Sequence, residues 1–112
     1  MQSANNESTQ TAEREAPIWE ALRYVIDPEL YINIVDLGLV YEVLWADDGM
    51  VYVRMTLTTP GCPVGGVIIE AVNRIVGEVP AVSGVKVDLT FDPRWSPDRI
   101  TPEGRLRLAG RS

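Results

Sequence analysis

A single cysteine stands in the chain, and the residues around it are those of a turn: Thr58-Thr59-Pro60-Gly61-Cys62-Pro63-Val64-Gly65-Gly66. A helix is expected to open at Pro63, a residue suited to the first helical turn, which puts Cys62 at the N-cap or one position from it. There the unpaired N–H groups and the positive end of the helix dipole favour thiolate over thiol, giving a better nucleophile and a better metal ligand. Gly65 and Gly66 sharpen the point, because glycine in a helix costs about 1 kcal/mol relative to alanine and is kept where something approaches the backbone closely. The plainer alternative is a cysteine that acts as a small buried hydrophobe, with glycines that let the helix lie against a sheet.

Other candidates are fewer. Asp36 is an acid enclosed by Ile34, Val35 and Leu37 just ahead of a strand; it reads either as a turn residue or as a neighbour of the thiol, if its loop and the Cys62 turn meet at one end of the sheet. Asp27 and Glu29 read as the solvated stop of the first helix. Trp95, bracketed as Pro-Arg-Trp-Ser-Pro, reads as a lid on the domain or as a partner anchor, since Trp and Arg commonly anchor interfaces. Val40, Leu44 and Tyr52 form a candidate contact patch on the outer sheet face if Glu42 points to solvent.

The elements that must position these groups follow from periodicity. Residues 1–15 contain no Val, Ile, Leu or aromatic residue, so they are expected to be a flexible tail, with one domain over 16–112. Ile18, Leu22 and Val25 share a helical face after Pro17, and Asp27-Pro28 ends that helix. Residues 39–45 and 50–58 read as strands joined by the Ala46-Asp47-Asp48-Gly49 turn. In the second strand Val51, Val53, Met55 and Leu57 face one way, with Tyr52, Arg54, Thr56 and Thr58 the other. A second helix carries Val64, Ile68, Val72 or Ala71, and Ile75, and stops at Gly77. Residues 85–92 alternate most clearly, with Val85, Val87, Leu89 and Phe91 inward. A last helical turn is expected at Thr101-Pro102. The expectation is an α+β, two-layer sandwich in α-β-β-α-β order, with helices on one face of a three-stranded sheet whose strand order is open.

Composition removes whole classes of function. The 112 residues suffice for one domain, and a net charge of −6 opposes binding to phosphate backbones, so nucleic acid is not an expected partner. Five Arg against two acids in residues 93–112 read as a basic tail on an acidic body. One cysteine makes no internal disulfide, no apolar run is long enough to span a bilayer or to serve as a leader, and the expected compartment is the cytoplasm. The absence of His excludes Cys-His pairs, Ser-His-Asp triads and His-rich zinc sites.

Four segments in order, Asp-Pro-Glu-Leu at 27–30, Asn-Ile-Val-Asp-Leu-Gly-Leu-Val-Tyr-Glu-Val at 33–43, Met-Thr-Leu-Thr-Thr-Pro-Gly-Cys-Pro at 55–63 and Asp-Pro-Arg-Trp-Ser-Pro-Asp at 92–98, resemble a known family. It is the small iron-sulfur assembly family that includes the bacterial SufT and PaaD proteins and a eukaryotic cytosolic cluster-targeting component. The likeness spans Ile18 to Leu108. It implies an assembly-factor fold and a role in maturing iron-sulfur proteins, not an enzyme with turnover. It puts the family's reactive cysteine on Cys62 and its acidic loop residue on Asp36, with Thr58, Thr59, Gly61 and Pro63 in the same motif. PaaD-type members continue into a cysteine-bearing extension, and no cysteine follows Cys62 here, so the single-domain SufT-like form fits better.

One thiolate cannot hold a cluster that takes four. The expected cargo is an iron-sulfur cluster bound transiently through Cys62 or shared across a homodimer, with iron-sulfur client or scaffold proteins as partners. Two alternatives stand beside it: a metal-free adaptor that docks through Trp95 and Tyr52, and a one-cysteine redox protein.

Overall fold

Alternating Val, Met and Leu against polar residues makes the middle of the chain a sheet, and a glycine closes its hairpin. The computed structural model describes residues 14–61 and 63–110. Strand β1 (Val40–Trp45) pairs antiparallel with β2 (Met50–Met55). Between them the Ala46 N–H donates to the Met50 carbonyl at 2.8 Å, and Gly49 takes a φ of +90°, a backbone region open to glycine. Strand β3 (Gly84–Leu89) adds parallel to β2, so the order is β1-β2-β3 and the sheet is mixed. Helix α1 runs through residues 14–22, α2 spans Gly65–Gly77 between β2 and β3, and α3 (Pro102–Ala109) follows a short 3-10 turn at Pro97–Arg99. The α+β fold and the element order are those expected.

The core forms where the helical and strand periods meet. Ile18 and Leu22 of α1, Val51, Val53 and Met55 of β2, and Ile68, Val72 and Val76 of α2 are all buried. At roughly 1.5–3 kcal/mol for each fully buried aliphatic side chain, this cluster is the main stabilising term.

Several expectations are corrected by packing. Tyr41 is a β-bulge: Val40 pairs with Met55 while Glu42 pairs with the adjacent Arg54. The extra residue turns Val40 to the core side, so the exposed patch keeps only Leu44 and its cross-strand neighbour Tyr52. Thr56, expected outward, is buried, and its N–H donates to the Leu39 carbonyl at 2.8 Å, just beyond the last paired residues of β1 and β2. Leu89, expected inward, is 40% exposed, since β3 is an edge strand with no neighbour beyond it among the described residues. Helix α2 starts at Gly65, two residues after Pro63.

The two sheet edges differ. Along β1, the buried Glu15 carboxylate accepts a hydrogen bond from the Trp45 N–H, and Arg14 bonds to the Ala46 carbonyl at 3.0 Å and to Asp47 at 2.9 Å. Residues 14 and 15 are therefore helical and held to the hairpin, just ahead of the expected boundary at residue 16. Burial pushes the Glu15 carboxyl above the ordinary glutamate range, against the pull of the Trp45 N–H and Arg14. Residues 1–13 of the expected tail lie outside the described residues.

Candidate functional site

Strands β2 and β3 are parallel and α2 connects them, so the Thr58–Val64 turn stands at the carboxyl end of the sheet, where ligands of open α/β units are commonly met. Thr58 is half-buried, and Thr59, Pro60, Gly61 and Pro63 are exposed. Cys62 lies outside the described residues.

The start of α2 is bare. Val64 is the N-cap, two positions after Cys62 and not at it or next to it as expected; no side chain caps the helix, and its first turn carries no acid. The first-turn N–H groups and the positive end of the dipole are thus left for solvent or for an anionic group at this turn.

The glycines of the turn divide by role. A Cβ on Gly65 would sit 2.6 Å from Leu57 Cδ1, so Gly65 lets α2 lie on the end of β2, as in the plainer alternative. A Cβ on Gly61 or Gly66 would meet nothing within 4 Å, so no packing within the described chain requires either glycine. Gly65→Ala is expected to destabilise the fold by about 1–3 kcal/mol through overpacking. Gly66→Ala is expected to leave stability unchanged or raise it by up to about 1 kcal/mol. Urea unfolding of both variants checks the pair, and a loss of activity in Gly66→Ala without loss of stability would mark the turn as a place of contact.

Asp36 is held for a reason local sequence did not reveal. It is 1% exposed, and its carboxylate accepts from Asn33 Nδ2 at 2.8 Å, Thr101 Oγ1 at 3.0 Å and Arg23 at 3.2 Å. Its own N–H donates to Asn33 Oδ1 at 2.8 Å, and its carbonyl accepts from the Thr101 N–H at 2.8 Å. Burial opposes the charge, but the hydrogen bonds from Asn33 and Thr101 and the Arg23 guanidinium outweigh it and hold the carboxyl below the ordinary aspartate range. Thr101 also caps α3 by accepting the Gly104 N–H, and a Cβ on Gly104 would come within 3.0 Å of the Asp36 carbonyl. Asp36 therefore ties the loop before β1 to the C-terminal helix. Arg23, Asn33 and Thr101 were absent from the sequence-based candidates; the S/T-then-Pro helix start was the one visible signal, and it pointed to a cap only.

The remaining candidates separate from this centre. Asp27 is buried rather than solvated: its Oδ1 accepts from the Glu29 N–H at 2.8 Å and the Leu30 N–H at 3.0 Å, which closes a turn. Trp95 is half-buried against the core and its indole N–H donates to the Leu37 carbonyl at 2.7 Å. Nearby, Arg99 stacks over the bulged Tyr41 ring at 4.5 Å and the Tyr41 hydroxyl donates to the Pro93 carbonyl, so the C-terminal segment is fastened to the sheet at several points. Tyr52 is 38% exposed on the outer face, in an open groove of about 750 Å³ shared with Trp19, Leu44, Arg54 and Lys86.

Comparison with known proteins adds a family to this geometry. A family model described as iron-sulfur cluster assembly protein matches residues 15–89. An Fe-S protein maturation auxiliary factor of Porphyromonas gingivalis is 49% identical over 93% of this chain and 96% of its own length. The Fe-S protein maturation auxiliary factor SufT of Staphylococcus aureus is 43% identical over 75% of this chain and 96% of its own. A crystal structure of a domain of unknown function from Bacillus anthracis matches with a TM-score of 0.85 and 33% identity, over 91% of this chain and 97% of that one. No helix among the described residues is long and apolar enough to cross a membrane.

Proposed function

This chain belongs to the iron-sulfur cluster assembly protein family, and we propose on that premise that it is an iron-sulfur protein maturation factor that meets its cargo and clients through the Thr58–Gly66 turn. The observation that carries the function is 49% identity across nearly the whole of both chains with a protein named a maturation auxiliary factor. What supports the turn is its exposure, the uncapped start of α2, and two glycines that packing within the described chain does not require.

The cluster is cargo in this reading. Among the described residues no three His, Cys, Asp or Glu side chains come together to hold a metal, and the chain has one cysteine. Because clusters usually take four thiolates, Cys62 supplies one ligand or contact, and a client, a scaffold or a small thiol supplies the rest. Relatives are named auxiliary factors, and the reading assigns the protein no turnover of its own. It places the factor in the cytoplasm, as a homodimer. Asp36 acts here by holding the fold, with its carboxylate occupied by Asn33, Thr101 and Arg23. Thr58, Thr59, Gly61 and Pro63 shape the exposed turn.

The test is complementation of a strain lacking the factor, read as the iron content and activity of iron-sulfur enzymes in that strain, together with anaerobic iron-sulfide loading of the purified protein. A thiolate-to-iron absorption band seen in wild type and lost in Cys62→Ser supports direct carriage. A second reading, an adaptor that docks a partner in the outer-face groove, is favoured by the exposed Leu44-Tyr52 pair. It takes over if Tyr52→Ser lowers client maturation while Cys62→Ser leaves it intact.

A further inference from the structure

Alternation along β3 assigns each residue's backbone to one side. The Thr90 N–H donates to the Met55 carbonyl at 2.9 Å, and β3 runs parallel to β2 in steady register. By the period of two, Lys86 and Asp88 also direct their N–H and C=O groups to β2, while Val85, Val87 and Leu89 direct theirs to the opposite edge. No described element covers that edge, in contrast to the β1 edge held by Glu15 and Arg14. An exposed strand of this kind, with no Pro and no bulge, is a template for another strand.

We infer that the free edge of β3 pairs antiparallel with β3 of a second copy, about a two-fold axis at Val87, forming a continuous six-stranded sheet. The inference rests on the homodimeric reading above and gives that dimer a surface.

Three features of β3 fit this register. First, Val87 opposite its own copy, and Val85 opposite the copy's Leu89, are pairs whose free N–H and C=O groups face each other, so the edge would be hydrogen-bonded throughout. Second, the same register sets Lys86 opposite the copy's Asp88 on the outer face, twice per dimer, where directly opposed unlike charges are favourable. Shifting the axis to Lys86 or to Asp88 would oppose like charges. Lys86 makes no ion pair among the described residues, whereas Asp88 already receives Arg54 at 3.3 Å.

Third, the helix side of the edge has a knob and a hollow. Leu89 is 40% exposed, and Val85, the residue opposite it across the axis, borders a hollow of about 470 Å³ with Asn73, Gly77 and Val82 among its walls. Gly77 keeps this space open, since a Cβ there would already meet Val85 at 3.9 Å. Asn73, one helical turn before Gly77, lines the same hollow and so stands on the helix side of this edge. The interface is isologous, as a closed two-fold requires.

This dimer has a consequence for the thiols. Antiparallel pairing sends the two Thr58–Val64 turns to opposite ends of the sheet, on the order of 20 Å apart or more. Two Cys62 side chains then serve two clients separately and do not share one cluster.

The test is charge exchange, read by light scattering after gel filtration at micromolar to tens of micromolar protein. Wild type is expected to be a dimer, Lys86→Asp a monomer, and Lys86→Asp combined with Asp88→Lys a dimer again. Val87→Pro, which removes an N–H that β2 does not use, is expected to be monomeric with an unchanged far-ultraviolet circular dichroism spectrum. A monomeric wild type, or a Lys86→Asp variant that stays dimeric, overturns the proposal. Spin labels on the single Cys62 read the geometry: a long inter-label distance supports the β3 register, and labels in near contact overturn it. Complementation by the monomeric variants is read separately, so loss of the dimer and loss of the maturation role are distinguished.

Discussion

Cys62→Ser is expected to lower client maturation to the level of cells lacking the protein, with little change in thermal stability. Serine keeps the size of the side chain but its hydroxyl does not ionise near neutral pH, so it is a poor ligand for iron and a poor nucleophile. Three residues beyond this position α2 begins without a side-chain cap or an acid in its first turn, a setting that stabilises negative charge just ahead of the helix. The Cys62 thiol is therefore expected to titrate below the ordinary cysteine value of about 8.5. Alkylation rates measured from pH 5 to 9 check this. A midpoint at or above the ordinary value, together with full complementation by Cys62→Ser, would remove the thiol from the function and return Cys62 to the role of a small space-filling residue.

Asp36→Ala is expected to produce the largest loss of stability among single substitutions outside the apolar core. It would strip partners from Asn33, which is buried, and from Thr101, and release the half-exposed Arg23 to solvent. Losing a buried, charged hydrogen-bond acceptor shared by several donors costs on the order of 2–4 kcal/mol. For a domain of this size that corresponds to a fall in Tm of about 10–20 °C. The sign with pH follows from the lowered carboxyl. A folded-state pKa below the ordinary 3.8 means that the native state binds fewer protons than the unfolded one, so Asp36 contributes its full ionic stabilisation above that value. The contribution is lost as pH falls through the depressed folded-state value. Glu15 works in the opposite sense, because its raised carboxyl makes ionisation unfavourable to the fold as pH rises through the ordinary glutamate range. The difference between wild type and Asp36→Ala isolates Asp36: it is expected to be wide at neutral pH and to narrow below the ordinary aspartate value. A difference that stays constant down to pH 2 would show that the carboxylate's charge contributes nothing and that only shape is lost.

The free β3 edge and the Asp36 centre together give the protein a division of labour. The loop before β1, the C-terminal helix and the hairpin form a tied body, while the turn at the head of α2 stays exposed and lightly packed. In the function proposed above, an exposed turn on such a body permits contact with a client without remodelling the core.

Much of this was written locally. The period of two in residues 50–58 and 85–92, the helical spacing of Val64, Ile68 and Val72, the glycine of the hairpin and the Thr101-Pro102 helix start each act through neighbours a few residues away, so pattern alone reached the element order and the α+β class. The motifs around Asp36 and Cys62 pointed to the iron-sulfur assembly family, which comparison then showed. What pattern could not reach depended on chain segments returning to one place. Asp36 receives Arg23 from 13 residues before it and Thr101 from 65 residues after it, so its occupied, ionised state exists only once three segments meet. The bulge at Tyr41 reversed Val40, because register is set by the partner strand and not by the strand's own alternation. Which strand was left at the edge was likewise open until α2 carried β3 to the far side of β2. Local side-chain chemistry determines what an element is; the closure of distant segments on one another determines which of its groups are occupied and which remain free to act.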